Sequence, residues 1–236
     1  QQAEDESQAR RNVGILFGTG LPITVLFAVV FASFMDTIKG GFAGVFRSIA
    51  VASMALGGAT VAVFWSWMFN YRYGGINQLL RLIGLEALTR DWIGNPDIVM
   101  ASVIIMLMWK FVGYGALVVL GGLQGIPKYQ IEAARIEGAS TFQLYVKILI
   151  PQVLGHIFTV TVLLSMYLLK SFDFVYVLTG GGPGWSSTLF PILVYRTMFS
   201  ASNFAGGAAA ANFMFLIVSV IAIPYMLWSR KESQGE

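Results

Sequence analysis

Five long apolar segments limit what this chain can fold into. They are approximately Val13–Met35, Ser48–Phe69, Ile98–Leu120, Pro151–Leu169 and Ala205–Trp228. An α-helix of roughly 20 apolar residues is long enough to cross the ~30 Å hydrocarbon core of a bilayer. The sequence therefore predicts an all-α, polytopic membrane protein with five visible spans, in which residues 1–236 form a single transmembrane domain.

Composition agrees with a membrane protein and excludes several other classes. Only 11% of the residues are charged, whereas soluble domains carry about 25%. The chain has no cysteine, which excludes disulfides, thiolate metal sites and cysteine nucleophiles. The single histidine, His156, has no carboxylate near it in the sequence, so we expect neither a metal site nor a catalytic pair. The net charge of +3 is spread over several loops, so no nucleic-acid partner is expected.

The interval Gln124–Pro151 separates two apolar segments and carries a helix pattern in a polar context. Pro127 suits the first turn of a helix, where its missing N–H costs nothing. Gly138 predicts the end of that helix, because glycine adopts positive φ without a Cβ clash. Ser140 and Gln143 fit a capping box, so a second helix is predicted from there to about residue 150. We therefore expect two short helices joined by a bend, which together protrude from the membrane surface; we call this interval the 124–151 loop.

The 124–151 loop also carries the residues of a known family signature. The chain resembles the permease subunits of binding-protein-dependent ABC importers, whose signature is EAA-x-x-x-G-x9-I-x-L-P. The matching residues are Glu132, Ala133, Ala134, Gly138, Ile148 and Pro151. The sequence differs from the signature at Ile150, where leucine is usual, and at Glu137, where aspartate is commoner.

A second stretch narrows the resemblance to one branch of that family. The sequence from Phe172 to Pro183 is similar to the F-D-x-x-Y-V-L-T-G-G-G-P stretch of carbohydrate and glycerol-phosphate permeases, the maltose-permease-like branch. With the flanking segments, the resemblance extends over residues 12–230. Members of the family commonly have one more span before this point, so the resemblance implies a first span ahead of Gln1.

The resemblance implies a function and a set of partners. The 124–151 loop would be cytoplasmic and dock on an ATP-hydrolysing subunit, which assigns coupling to Glu132, Ala133, Ala134, Arg135, Glu137 and Gly138. The protein would be a multi-pass inner-membrane subunit. It would work with a second permease subunit, a dimer of ATP-binding subunits and an extracytoplasmic solute-binding protein. ATP and Mg would be bound by the ATPase partner and no cofactor by this chain, because the Gly180–Gly184 run lacks the Gly-Lys-Ser/Thr ending of a P-loop.

A solute path is predicted from polar side chains within or near the apolar segments. Ionisable and amide groups in lipid are costly and usually face a cavity. The candidates are Lys110, Tyr167, Lys170, Asp173 and Asn212. Polar groups would meet hydroxyls and aromatic faces would cover C–H surfaces, as a sugar-like solute requires. The alternative is structural, since Lys170 and Asp173 are three residues apart and can pair on a helix surface.

The segment Asn70–Asp97 predicts a short helix at the membrane interface. Helical spacing relates four of its apolar residues, Ile76, Leu79, Leu80 and Ile83. Aromatic residues stand near the expected headgroup levels, as in an aromatic belt: Trp65, Trp67, Tyr71, Tyr73 and Trp92. We therefore expect this segment to contact membrane lipid.

Two other function classes remain open at the level of the sequence. A channel or an energy-independent carrier would share the apolar segments but needs no loop that docks on an ATPase. A membrane enzyme is also compatible with the segments, but the sequence shows no catalytic cluster. Loop lysines and arginines divide equally between the two membrane sides, so the positive-inside rule does not orient the chain. The cytoplasmic position of the 124–151 loop therefore depends on the resemblance.

Overall fold

The structure, a computed structural model, describes residues 2–38 and 42–233, which fold into helices. The first six are α1 (Gln2–Ile15), α2 (Leu21–Thr37), α3 (Phe42–Ala55), α4 (Gly58–Met68), α5 (Gly75–Leu82) and α6 (Val99–Gly125). The others are α7 (Lys128–Ile136), α8 (Thr141–Gln143), α9 (Ile150–Gln152), α10 (Leu154–Leu169), α11 (Phe172–Thr179), α12 (Phe190–Tyr195) and α13 (Phe204–Ser233). Three π-helical turns cover Leu16–Gly20, Leu144–Leu149 and Arg196–Ser200, and a 3₁₀ turn covers Glu86–Leu88. The prediction of an all-α fold is confirmed.

The apolar segments form the helices that can span a membrane. Three helices are long and apolar enough by themselves, namely Asp5–Thr37, Val99–Gly125 and Phe204–Tyr225. Two bent helix pairs also qualify if each pair counts as one span, which gives up to five spans among the described residues. The first, third and fifth apolar segments of the sequence are therefore continuous helices, as expected for spans.

The second and fourth apolar segments are broken rather than continuous. In the second, α3 and α4 meet at an angle of 100° around Gly57, whose backbone is extended. Two adjacent glycines stand there, and glycine within a helix costs about 1 kcal/mol relative to alanine. In the fourth, the helix pair bends by 69° shortly after Pro151, which lacks an N–H and whose ring clashes with the preceding turn. This helix pair begins at Thr141, within the 124–151 loop, rather than at Pro151.

The described helices form two compact units. One unit contains residues 1–20, 56–108 and 165–236, and the other contains residues 21–55 and 109–164. In the second of these units, glycines of α6 let neighbouring helices approach closely. A Cβ on Gly113 would overlap the carbonyl oxygen of Ala50 in α3, and one on Gly115 would lie 2.9 Å from the Ala28 Cβ in α2. Both α2 and α3 therefore pack directly on the backbone of α6, as small residues allow in membrane proteins.

In the first unit, α1 is held against the segment that precedes α12. Asn12 is buried, and its side-chain amide donates to the carbonyl oxygens of Trp185 (3.0 Å) and Thr188 (2.9 Å). Phe190 and Leu193 of α12 complete the contact in a buried apolar cluster with α1. Because a buried amide is costly unless it is bonded, this pair of hydrogen bonds fixes the position of the chain after the Gly-rich run.

The packing of α3 on α6 predicts the effect of one methyl group. We expect Gly113→Ala to lower the melting temperature and the yield of folded protein after detergent extraction, because overpacking costs about 1–3 kcal/mol. Gly121→Ala is the matched control, since it lies on the same helix and its Cβ would meet nothing within 4 Å. The control should be neutral or slightly stabilising, because alanine favours a helix over glycine. Equal melting temperatures for the two variants would contradict this packing.

Candidate functional site

The 124–151 loop folds as its glycine and capping residues predict. Its first helix, α7, begins at Lys128, with Pro127 in the capping position before it. Gly138 follows the helix with φ of +84°, in the left-handed region that favours glycine. The Ser140 hydroxyl accepts from the Gln143 N–H over 3.3 Å, and the Gln143 side chain accepts from the Ser140 N–H over 3.0 Å. This reciprocal pair is the predicted capping box, and it starts the second helix.

The outer surface of this loop exposes large apolar side chains. Ile136 is 87% exposed and Phe142 is 76% exposed. Among the predicted coupling residues, Ala134 is buried. The remaining five are exposed: Glu132, Ala133, Arg135, Glu137 and Gly138. The loop therefore packs on the protein through buried residues such as Ala134, Leu144 and Leu149, and it leaves much of α7 exposed, where a partner can contact it.

A hydrogen bond ties the loop to α2. The Tyr145 hydroxyl donates to Asp36 Oδ2 over 2.7 Å, between residues 109 positions apart. Tyr145 lies in a π-helical turn and Asp36 in the last turn of α2. Neither residue is among the site residues predicted from the sequence. The available signal was Asp36 itself, because a carboxylate at the end of a helix opposes the helix dipole and calls for a hydrogen-bond partner.

A cavity with charged walls surrounds this hydrogen bond. Its volume is about 730 Å³, and Asp36 and Tyr145 are among its lining residues. Three charged residues of α7 line it as well: Lys128, Glu132 and Arg135. Predicted coupling residues and the bond to α2 are therefore neighbours. Within the described part of the chain, no group of three or more His, Cys, Asp or Glu side chains could hold a metal ion.

Lys110, a candidate for the solute path, bonds to the backbone of α3. Its side chain is buried, and Nζ donates to the carbonyl oxygens of Ser53 (2.7 Å) and Met54 (3.0 Å). These carbonyls belong to the last turn of α3, where helical carbonyls lack partners within the helix and a cation is favourable. The Ser53 hydroxyl donates in return to the Lys110 carbonyl over 3.1 Å. These contacts explain a charge inside a membrane span without requiring a solute.

Asp173 lies at the start of another helix. Its carboxylate packs so closely on Gly58, the first residue of α4, that a Cβ on Gly58 would overlap it. This position is favourable because a helix N-terminus carries a partial positive charge. Lys170 and Asp173 form no ion pair with each other, and neither has an ion pair elsewhere among the residues that the structure describes. The ion pair that their spacing allows is therefore not formed in this structure, and Asp173 contacts the start of α4 instead.

Four aromatic rings form a continuous cluster near the end of α10. Phe172 stacks on Tyr176 with ring centroids 4.9 Å apart. Tyr195 contacts both rings, at 5.3 Å and 5.1 Å, and Phe199 lies 5.4 Å from Tyr195. A hydrogen bond with Tyr176 raises the pKa of the Tyr195 hydroxyl. None of the four is among the site residues predicted from the sequence, because the rings come from segments that meet only in the folded chain.

Lys170 and part of this aromatic cluster line a cavity of about 540 Å³. Residues of α12 and α13 complete its lining: Pro191, Val194, Ala211, Met214, Phe215 and Val218. Asn212 follows one of these residues on α13, is exposed, and has no hydrogen-bond partner among the described residues. Tyr167 is also exposed and precedes Lys170 by three residues. The structure therefore brings Lys170 to an aromatic cavity, with Asn212 next to its lining, and Asp173 to the start of α4.

The Gly180–Gly184 run is a turn, as predicted. The N–H of Gly181 donates to Thr179 Oγ1 (3.1 Å), and the N–H of Gly182 donates to the Thr179 carbonyl (3.0 Å). The Arg196 guanidinium donates to the first carbonyl of the run over 2.6 Å. Because these N–H groups are already bonded within the turn, they do not form the cradle that a phosphate needs.

Comparisons with known proteins identify relatives along almost the whole chain. The family described as "Binding-protein-dependent transport system inner membrane component" matches residues 13–231. A relative from Pyrococcus horikoshii, named as a probable ABC transporter permease protein, is 40% identical over 221 residues, which cover 94% of this chain and 75% of that protein. The trehalose/maltose transport system permease protein of Thermococcus litoralis is 32% identical over 215 residues, which cover 86% of this chain and 72% of that protein.

A solved structure has the same fold. It is the bacterial alginate ABC transporter in complex with an alginate pentasaccharide-bound periplasmic protein, and one of its chains superposes on this chain with a TM-score of 0.81. The superposition covers 95% of this chain and 78% of that one at 21% sequence identity. The chain is thus a multi-pass inner-membrane protein, and it belongs to the family of permease components of binding-protein-dependent ABC importers.

Proposed function

We propose that this permease moves a sugar or a related hydroxylated solute across the inner membrane, driven by ATP hydrolysis in a separate subunit. The observation that supports the coupling is the 124–151 loop, which presents Ile136 and Phe142 outward from a capped pair of helices. Exposed large apolar side chains that are rimmed by charges mark protein interaction sites. The loop therefore docks on the ATP-binding subunit through these side chains and the exposed coupling residues around them.

The loop can transmit a displacement because its own bonds hold its shape. Gly138 and the capping box set the angle between the two helices, and the Tyr145–Asp36 bond connects them to α2. The second helix continues through the bent pair from Thr141 to Leu169. Closure of the ATPase pair would push on α7 and, through these connections, switch the solute pathway between outward-open and inward-open states.

The transport cycle needs further partners. The chain contains no P-loop, so ATP and Mg belong to the ATP-binding subunits. A second permease subunit closes the other side of the pathway, and an extracytoplasmic solute-binding protein delivers the solute. The alginate transporter, which was crystallised with a solute-bound periplasmic protein, supports this arrangement. An energy-independent channel or carrier would leave the exposed loop without a role.

The solute path follows the polar and aromatic groups of α10, α11 and α13. Aromatic faces suit the C–H surfaces of a sugar ring, while Tyr167, Lys170, Asp173 and Asn212 can bond to its hydroxyls. The Thermococcus litoralis relative is a trehalose/maltose transport system permease protein, which supports a sugar-like solute. The contacts of Lys110 with the α3 backbone favour a structural role for that side chain.

The coupling proposal is tested by two substitutions at Gly138. A Cβ there would meet nothing within 4 Å, so a substitution acts through the backbone conformation alone. Valine at positive φ is strained by about 1–2 kcal/mol, whereas asparagine tolerates this conformation. We expect Gly138→Val to lower solute uptake in proteoliposomes roughly tenfold, the factor that corresponds to such a strain, while Gly138→Asn keeps most of it. Normal uptake and solute-stimulated ATPase rates in Gly138→Val, at equal amounts of complex, would refute the docking role.

The Tyr145–Asp36 bond predicts a second effect on coupling. Tyr145→Phe removes only the hydroxyl and leaves a partly buried carboxylate oxygen without its donor, which costs about 1 kcal/mol. We expect a lower melting temperature of the complex and less solute uptake per ATP hydrolysed. Tyr129→Phe is the matched control, because this exposed tyrosine of α7 makes one weak hydroxyl contact at 3.5 Å. If both variants transport with the same stoichiometry as the unmodified protein, the bond does not carry coupling.

The solute path predicts a separation of uptake from basal ATP hydrolysis. Asp173→Asn and Lys170→Ala should each lower solute uptake while the basal ATPase rate of the assembled complex persists, because neither residue belongs to the 124–151 loop. Asp97→Ala, at an exposed carboxylate before α6, serves as the control for loss of one charge. Uptake measured at several solute concentrations should show the change in the apparent affinity. Unchanged uptake in both variants would remove the two residues from the path.

A further inference from the structure

A ridge of exposed apolar side chains follows α4. It consists of Leu79 and Leu82 of α5 together with Ile83, Leu85 and Leu88, and we call it the α5 ridge. Leu82 is 84% exposed, although it belongs to a structured helix. Single exposed apolar residues are ordinary on a protein surface, but a contiguous group marks an interaction site. This surface belongs neither to the 124–151 loop nor to the proposed solute path.

The α5 ridge is held rigid by one buried asparagine. Asn77 is fully buried, and its side chain makes four hydrogen bonds with the surrounding segment. Nδ2 donates to the carbonyls of Tyr71 (3.1 Å) and Arg90 (2.9 Å), and Oδ1 accepts from the Arg90 N–H (3.3 Å) and from Trp92 Nε1 (2.8 Å). All four hydrogen-bonding positions of the amide are therefore filled. The ridge is a preorganised surface and not a loop that turns its apolar side chains outward by chance.

The ridge is continuous with the surface of a membrane span. It follows α4, the second helix of a bent pair long and apolar enough to cross a bilayer. Three aromatic residues are exposed near the ridge, namely Trp67 in the last turn of α4 and Tyr71 and Tyr73 in the turn that follows it. Tryptophan and tyrosine concentrate at the level of the lipid headgroups. The end of α4 therefore marks the headgroup level, and the ridge begins within a few residues of it.

Positive charge accompanies the ridge. Arg72, Arg81 and Arg90 are exposed, and none of them forms an ion pair with a described carboxylate. Arg81 is held in place by contacts with the carbonyls of Tyr71 (3.5 Å) and Arg72 (3.3 Å). An apolar face bordered by arginines is the combination that binds an anionic membrane surface.

We propose that the α5 ridge is a membrane-interface anchor that selects anionic lipid. Leu79, Leu82 and Ile83 enter the boundary between headgroups and acyl chains, while the three arginines bind lipid phosphates. The competing occupant is a protein, with the solute-binding protein as the obvious case. The continuity of the ridge with the aromatic residues after α4 favours lipid, because a protein docking from water does not require apolar residues at headgroup level.

The absence of cysteine from the sequence makes a direct test possible. A nitroxide attached to Leu82→Cys in the assembled complex, reconstituted in nanodiscs, reports collisions with oxygen, which concentrates in lipid, and with a nickel chelate, which stays in water. Glu86→Cys is the matched control, because a 3₁₀ turn has three residues per turn and directs Glu86 away from the shared line of Leu85 and Leu88. The proposal expects oxygen collisions to dominate at residue 82 and nickel collisions to dominate at residue 86.

Lipid composition separates the two parts of the proposal. Replacing part of the phosphatidylcholine with phosphatidylglycerol should move the label at residue 82 deeper, and Arg72→Gln with Arg90→Gln should abolish that change. If the label is equally accessible to nickel at residues 82 and 86, the ridge lies in water and the anchor is wrong. Protection at residue 82 that appears only after the solute-binding protein is added would also overturn it, and would assign the ridge to that protein. If the depth of the label at residue 82 is the same with and without phosphatidylglycerol, the arginines do not bind lipid phosphates and the ridge does not select anionic lipid.

Discussion

This fold depends on one constraint: every backbone carbonyl in lipid must find a hydrogen-bond donor within the protein, because no water is present to bond it. A continuous helix satisfies the constraint everywhere except at its ends. The second span stops and restarts at Gly57, and this break creates helix ends inside an apolar segment. Lys110 bonds the carbonyls that end α3, and Asp173 places a negative charge at the start of α4. Each charge lies at the helix end whose dipole it complements, so residues that first suggested a solute path are also what permits the break.

The fourth span meets the same constraint with local groups. Pro151 cannot donate to the preceding turn, and the chain bends shortly after it. The Gln152 side chain donates to the Ile148 carbonyl over 3.0 Å, and the Val153 N–H is shared between the carbonyls of Leu149 and Ile150. No distant charge is needed here, because neighbouring residues in the sequence supply the donors. The bend at Gly57 is therefore stabilised by side chains from distant parts of the sequence, whereas the bend after Pro151 is stabilised by its neighbours in the sequence.

Features governed by short-range rules could be predicted from the sequence, and features governed by distant contacts could not. The end of α7 at Gly138, the capping box at Ser140 and the turn at Gly180–Gly184 follow from the local properties of those residues. The break at Gly57 has a local signal in the two adjacent glycines, but the contact of Lys110 with the end of α3 could not be anticipated, since Lys110 belongs to another helix. The Tyr145–Asp36 bond and the aromatic cluster could not be predicted either, because their partners are far apart in the sequence. The segment 70–97 lies between these cases, because its helix was predictable from spacing while its rigidity depends on Asn77.

The hydrogen bonds that shape the end of α7 and the start of α8 lie within residues 133–144. The Glu137 and Gly138 N–H groups donate to carbonyls of α7, and Ser140 and Gln143 bond to each other. The side chains that face outward, such as Ile136 and Phe142, take no part in those bonds. The shape of this short segment and its outward surface are therefore encoded by different residues. Such a segment can exchange its surface for that of a relative without refolding. Under the docking proposed above, substitution at a few outward positions is then enough for a permease to change its ATPase.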